Sequence, residues 1–242
     1  FDVYKDFNIT NYRCVLSLRD KEDKEKYFDD DEMWDKAENE LRKVLDDLKI
    51  DYKEEIGEAA FYGPKLDVNV KPAVGAEYTL STCQLDFCLP AKFDLKYIDK
   101  NGDRKTPVVL HRAILGSLDR FMAYILEETK GALPTWLAPV QVNIIPVNNN
   151  YHLEYANEIY KMLKDASVRV ELDDRDEKLS YKMRESQTKK IPITLILGDK
   201  ERDESLVSYR RHGSNKTYSV QKDTFKDLLL NEIRSVSYTH LR

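Results

Sequence analysis

Apolar residues follow two rhythms along this chain, and the switches between them mark out its elements. After Asp30-Asp31-Glu32, the residues Trp34, Ala37, Leu41, Val44, Leu45 and Leu48 recur at three- and four-residue intervals. That spacing predicts a helix packed on a sheet, opened by acidic groups at its positive end. Between residues 59 and 98 the period shortens towards two, with Leu66, Val68 and Val70 on one face of a strand. Along 78–87, Tyr78, Leu80, Thr82, Gln84 and Asp86 alternate with Thr79, Ser81, Cys83, Leu85 and Phe87. One of those faces carries hydroxyls, an amide and a carboxylate, which points to a polar pocket beside the strand. Asn101-Gly102 reads as a hairpin turn leading to a strand at 106–111. The helical period returns over 113–126, with Ile114, Leu118, Phe121, Met122 and Ile125 as a core stripe and Ala113, Gly116, Ser117 and Arg120 opposite.

Two prolines and a glycine within 131–139 interrupt the pattern, and the sequence places a domain boundary there, giving domains 1–136 and 137–242. Beyond it, strands are predicted at 140–147, 167–172, 191–197, 206–211 and 216–220, and helices at 151–166, 179–189 and 222–234. Such alternation predicts an α/β domain, a mixed sheet with helices on its faces. Residues 235–242 carry no pattern and are given no role. Residues 2–18 read as the interior of something already under way, without a starting Met, so the chain is taken as a piece of a longer protein.

Composition narrows the class. Hydrophobic residues make up 41% and charged residues 34% of the 242, enough for packed cores under a heavily solvated surface, which excludes disorder as a description of the whole. There is neither an apolar run of about eighteen residues nor a signal-peptide start, so a cytoplasmic protein without a membrane partner is expected. Cys14, Cys83 and Cys88 form no CxxC pair, which fits reduced thiols and excludes a cysteine-only metal site. The net charge of -5 is uneven: residues 1–136 hold 21 basic and 28 acidic groups, residues 137–242 hold 18 and 16. The mildly basic second half is the one compatible with a nucleic-acid partner.

Several groups are candidates for chemistry. Phe61-Tyr62-Gly63-Pro64-Lys65 sets a phenol and an ammonium across a tight bend, either as parts of one site or as a turn with a surface lysine. His111, at the end of an apolar strand, is a structural imidazole, a base or a metal ligand. With four histidines in all and no cysteine near His111, the chain alone cannot furnish three ligands for a catalytic zinc. Arg120 on a small-residue face meets either a carboxylate or a phosphate or nucleotide. In the second half, the charged stretches 173–178 and 198–202 are either solvated loops or base-reading groups at strand ends.

The motifs Asp31-Glu32-Met33-Trp34, Ala60-Phe61-Tyr62-Gly63-Pro64-Lys65 and Gln84-Leu85-Asp86-Phe87, with HRAILGSLDRF at 111–121 and PTWLAPVQV at 134–142, resemble the bacterial threonyl-tRNA synthetase family in order and spacing. The stretch 111–121 resembles motif 3 of class II synthetases, and 134–142 the junction to an anticodon-binding domain. The resemblance implies the end of an antiparallel-sheet catalytic domain followed by a mixed-sheet anticodon-binding domain. It further implies ATP-dependent activation of threonine, with Mg2+, and transfer to tRNA(Thr) by an enzyme that is a homodimer when intact. Arg120 and Lys65 take catalytic positions at the phosphates, and Tyr62, Gln84, Thr82 and Ser117 substrate-binding positions. His111 matches the third ligand of a Zn2+ whose other ligands are absent from these residues. Asp176, Glu201 and Arg210 match anticodon-reading positions, with Asp176 standing where an Asn is usual. Tyr78-Thr79-Leu80-Ser81-Thr82 departs from the family's usual Trp-Gln-Cys-Gly-Thr. Motifs 1 and 2 are absent, so the chain alone is expected to be inactive. The alternative is a stand-alone RNA-binding or regulatory module carrying a synthetase remnant.

Overall fold

Two compact units, Phe1–Glu127 and Glu128–Arg242, divide the chain in this computed structural model, which describes residues 1–73 and 75–234. The stretch 235–242, to which the sequence assigned no role, lies outside the described residues.

In the first unit a short helix α1 (Asp2–Asp6) precedes β1 (Tyr12–Leu18), and α2 (Asp31–Asp47) carries the chain over to β2 (Tyr52–Ile56). β1 and β2 are parallel, with Cys14 opposite Tyr52 and Leu18 opposite Ile56. A helix between two strands returns the chain to the end where the first strand began, so this edge departs from the antiparallel expectation. The remaining pairs are antiparallel. β3 (Lys65–Val70) and β4 (Tyr78–Asp86) are followed by α3 (Cys88–Lys92), then by the hairpin of β5 (Tyr97–Ile98) and β6 (Arg104–Lys105), then by β7 (Val109–Ala113). The main sheet runs β2-β1-β3-β4-β7.

α2 starts where the sequence places it, because the Asp30 side chain accepts the Met33 N–H and satisfies one orphan donor of the first turn. Trp34, Ala37, Leu41 and Leu45 are buried, whereas Val44 and Leu48 of the expected stripe face solvent. Leu41 and Leu45 pack against Leu16 and Leu18, with Leu66 and Leu85 alongside, and each fully buried leucine contributes roughly 2 kcal/mol.

The helix expected over 113–126 is corrected. β7 continues to Ala113, and the helix α4 (Leu118–Glu128) begins five residues later than expected. Gly116 adopts φ +66°, a left-handed conformation in which a right-handed helix does not propagate. Ser117 then caps α4: its hydroxyl accepts the Arg120 N–H at 3.3 Å and its carbonyl the Phe121 N–H at 3.0 Å. Phe121 and Ile125 are buried together with Tyr124, but Ile114, Leu118 and Met122 are exposed. Ala113, Gly116, Ser117 and Arg120 are accordingly a strand end, a turn, a cap and a helical residue rather than one helical face.

The second unit contains β8 (Val142–Pro146), α5 (Asn149–Asp165), β9 (Val170–Leu172), α6 (Leu179–Thr188), β10 (Ile193–Leu197), α7 (Asp199–Glu204), β11 (Leu206–Arg211), β12 (Thr217–Gln221) and α8 (Lys222–Arg234). Its sheet runs β12-β11-β10-β8-β9 and is mixed: β8 is parallel to β9 and β10, while β10, β11 and β12 are antiparallel. Ile144, Leu195 and Val207 of the sheet pack with Ile159 and Leu163 of α5 and Phe225 and Leu229 of α8. The alternate residues, Asn143, Thr194 and Ser208, are buried and polar. The Ser186 hydroxyl of α6 hydrogen-bonds that of Thr194 at 2.7 Å, which satisfies both groups.

Candidate functional site

The register of three strands gathers most of the chemistry of the first unit. Lys65 on β3 lies opposite Gln84 on β4, and Gln84 opposite His111 on β7. In the adjoining row Asp67, Thr82 and Ala113 are aligned. Directly paired residues project from the same face, so Lys65, Asp67, Thr82, Gln84, Asp86 and His111 share one side of the sheet. The opposite side holds Leu66 and Leu85, packed against the α2 leucines. A bulge follows: Val68 faces Ser81 but Asn69 faces Thr79, leaving Leu80 as the extra residue. It re-aims Thr79 to the polar side, where its hydroxyl donates to Asn69 Oδ1 at 2.8 Å.

Tyr62 reaches this face because Gly63 lets the chain lie directly on β4. A Cβ at Gly63 would stand 1.8 Å from the Leu85 carbonyl oxygen. Pro64 O accepts the Leu85 N–H at 3.1 Å, so this bend acts as a short stretch of pairing. The Tyr62 hydroxyl donates to Gln84 Oε1, and its ring centroid lies 5.6 Å from that of His111. Burial, with the negative charges of Asp86 and Asp67 adding to it, pushes the Tyr62 phenol up, so it stays a protonated donor at neutral pH.

Two carboxylates hold these groups in place: Asp86, which the sequence set on the polar face of its strand, and Asp67, which it did not single out. Asp86 is fully buried; its Oδ1 accepts the N–H groups of Cys88 and Leu89 at 3.1 and 2.9 Å, and its Oδ2 faces His111 Nε2 at 2.8 Å. The His111 side chain is 43% exposed and offers its other ring nitrogen, Nδ1, to any further partner. Asp67 accepts Lys65 Nζ at 2.6 Å on Oδ2 and the Thr82 hydroxyl at 2.7 Å on Oδ1. In the sequence the alternation of Lys65, Asp67 and Asn69 with the apolar Leu66, Val68 and Val70 marks the polar face of β3 but not the burial of Asp67.

Arg120 joins the same strand farther along, with Nη1 donating to the Thr79 carbonyl at 3.1 Å. Five residues of strand separate that contact from Gln84, about 15 Å at the usual rise per residue. The polar face is therefore elongated, with the phenol, amide and imidazole grouped together and the guanidinium at a distance along β4, beside Ser117. Among the described residues no group of three His, Cys, Asp or Glu is placed to hold a metal ion.

In the second unit Glu201, in the first turn of α7, accepts the Gly198 N–H at 2.9 Å and the Ser208 hydroxyl at 2.6 Å. The sequence shows only a charged stretch after a strand here; the Glu201 carboxylate, reaching back to the Gly198 N–H, closes it into a helix. Ser208 and Arg210 alternate on β11 and so share a face, linking Arg210 to the same polar surface. Arg210 Nε donates to the Thr217 hydroxyl at 2.8 Å, and its terminal nitrogens have no partner among the described residues. Asp176 lies in the exposed bend after β9.

A parallel β1-α2-β2 edge on an otherwise antiparallel sheet, a polar sheet face with tethered cationic side chains, and a separate mixed α/β unit together match the architecture of a class II aminoacyl-tRNA synthetase. Residues 2–129 match the family model described as the tRNA synthetase class II core domain (G, H, P, S and T), and residues 141–232 match the anticodon binding domain. The chain belongs to this class II synthetase family. It is 57% identical over 233 residues, 96% of its length, to proteins named threonine–tRNA ligase from Staphylococcus epidermidis and Staphylococcus carnosus, and spans 36% of the length of each. A crystal structure described as the RNA binding domain of threonyl-tRNA synthetase from Cryptosporidium parvum superposes with a TM-score of 0.85 at 32% identity, over 95% of this chain and 57% of that one. A putative threonyl-tRNA synthetase from Aeropyrum pernix gives 0.77 at 26% identity, over 100% and 61%.

Proposed function

We propose that this chain forms the carboxy-terminal part of a threonine–tRNA ligase, in which threonine and ATP meet over the β3-β4-β7 face and the second unit holds tRNA(Thr) by its anticodon. The observation that carries the reading is the row of Tyr62, Gln84 and His111, three hydrogen-bonding side chains of different chemistry fixed side by side on a rigid sheet. In the first step the threonine carboxylate attacks the α-phosphate of ATP, and pyrophosphate departs; in the second a terminal ribose hydroxyl of tRNA attacks the threonyl carbonyl, and AMP departs. Negative charge builds up on phosphate oxygens in the first step, and the Lys65 ammonium and Arg120 guanidinium are the groups on this face that stabilise it. Tyr62 and Gln84 orient the amino acid, while Thr82 and Ser117 lie towards the nucleotide.

The donor set here fits a zinc site to the extent of one ligand, His111, whose Nε2 contact with Asp86 fixes the ring. His111 would hold such an ion together with ligands from outside these residues, and the ion would supply Lewis acidity for recognising threonine, chemistry that an apolar pocket lacks when valine must be rejected. Mg2+ accompanies ATP. On the second unit, the free terminal nitrogens of Arg210 match the bidentate acceptor edge of a guanine, with Glu201 and Asp176 as further contacts. The same reading takes the parent enzyme to be a cytoplasmic homodimer. Among the described residues no helix is long and apolar enough to cross a membrane. Retention of Tyr62, Lys65, Gln84, His111 and Arg120 argues against a binding module with a decayed catalytic half.

The test is threonine-dependent ATP–pyrophosphate exchange and aminoacylation of tRNA(Thr) by the full-length parent protein. Activity with threonine and none with proline or glycine is the expected result; the absence of threonine-dependent exchange overturns the assignment.

A further inference from the structure

We propose that Asp67 is a positioning residue for the phosphate end of the site, fixing Lys65 and Thr82 as one preorganised unit. The inference rests on the function proposed above. Lys65 and Asp67 are two apart on β3 and so share a face, and Asp67 is paired directly with Thr82 across β4. Both oxygens of Asp67 are used, Oδ2 by the Lys65 ammonium at 2.6 Å and Oδ1 by the Thr82 hydroxyl at 2.7 Å. Asp67 is 5% exposed, so this is a desolvated carboxylate on the polar face rather than a surface ion pair.

Stability does not account for that arrangement. Replacing a buried ion pair by apolar residues of similar size is often neutral or stabilising, and the strand's other face shows that apolar residues pack well here. What the carboxylate does provide is geometry. A lysine side chain carries rotamer entropy, which binding of a phosphate would otherwise have to overcome. With one ammonium N–H given to Asp67, the two others remain for phosphate oxygens, directed from a fixed point. The Thr82 hydroxyl, donating its proton to Asp67, presents its lone pairs outward and so acts towards a ligand as an acceptor, suited to a ribose hydroxyl or an amino group rather than to a phosphate oxygen. Asp67 thereby divides the nucleotide's two ends between its two partners.

The experiment is a double-mutant cycle in the full-length parent protein, reading ATP–pyrophosphate exchange against ATP and against threonine. Asp67→Asn is expected to lower kcat/KM for ATP by about 10–100-fold and to leave KM for threonine unchanged. In a Lys65→Met background the same change is expected to cost several-fold less than in wild type, since only the part carried by Thr82 remains. Should Asp67→Asn fail to fold, Thr82→Val removes only the second contact; KM for ATP is then expected to rise at an unchanged Tm. An effect of Asp67→Asn that is as large without Lys65 as with it, or equal losses for ATP and threonine, overturns the proposal. A wild-type protein without threonine-dependent exchange defeats the functional assignment instead, so the two failures are distinct.

Discussion

Gly63 fixes where Tyr62 can be. The Cβ of an alanine at this position would meet the Leu85 backbone, which no rotamer change relieves, so the bend would have to lift off β4. Gly63→Ala is expected to destabilise the first unit by about 1–3 kcal/mol. Thermal unfolding of the full chain checks this, and an unchanged Tm speaks against the close approach. In the second unit, Arg210→Ala is expected to weaken tRNA(Thr) binding by roughly 1–3 kcal/mol, about 5- to 150-fold. A filter-binding titration that shows no loss removes Arg210 from the interface. Individual residues are legible in the sequence to an uneven degree. The alternation along β4 is enough to bring Thr82 and Gln84 into view. Asp67 stays hidden, because an aspartate in a strand ordinarily marks a solvated position and its burial depends on partners two residues away and on another strand.

Among elements, the ones with a single dry face are readable. α2 announces itself through its apolar stripe and its Asp30 cap, and the strands of the second unit through short apolar runs between turns. β1 does not, since Cys14 to Leu18 are all buried, so burial does not alternate along it and the period of two is weak. The start of α4 is misplaced by the sequence pattern because Ala113-Ile114-Leu115 suits a helix locally, while pairing of β7 with β4 and the positive φ of Gly116 overrule it. Ser117→Ala, which removes the cap, is expected to cost about 1 kcal/mol, measured by chemical denaturation; no change would mean that the cap does not hold α4. In α8, burial alone would raise the Glu232 carboxyl, but hydrogen bonds from the Arg211 guanidinium and the Thr135 hydroxyl outweigh it and hold it below the usual glutamate range. A carboxyl depressed in the folded state contributes stability above its unfolded pKa and loses it as pH falls through the lower folded value. Amide exchange of β11 and α8 is therefore expected to show the advantage of wild type over Glu232→Gln shrinking below about pH 4.3, and a constant difference would contradict this.

At the scale of the whole molecule, the class of each unit is readable from the order of its motifs, because chemistry-bearing residues at fixed spacing outlast changes in the elements around them. The chain spans 36% of the length of the threonine–tRNA ligases it matches, so binding and catalysis are expected to separate. The purified chain should bind tRNA(Thr) weakly, with an affinity that falls as salt rises, and should not form threonyl-adenylate. Salt-independent binding would argue against a phosphate-dominated interface.

The grouping of Tyr62, Gln84 and His111 as the threonine side of the site is tested most directly by steady-state pyrophosphate exchange in the full-length parent protein, wild type against Gln84→Ala. Loss of the amide that receives the Tyr62 hydroxyl is expected to lower kcat/KM for threonine by about 10–100-fold while leaving KM for ATP unaltered. Equal kcat/KM for threonine in the two proteins would contradict it.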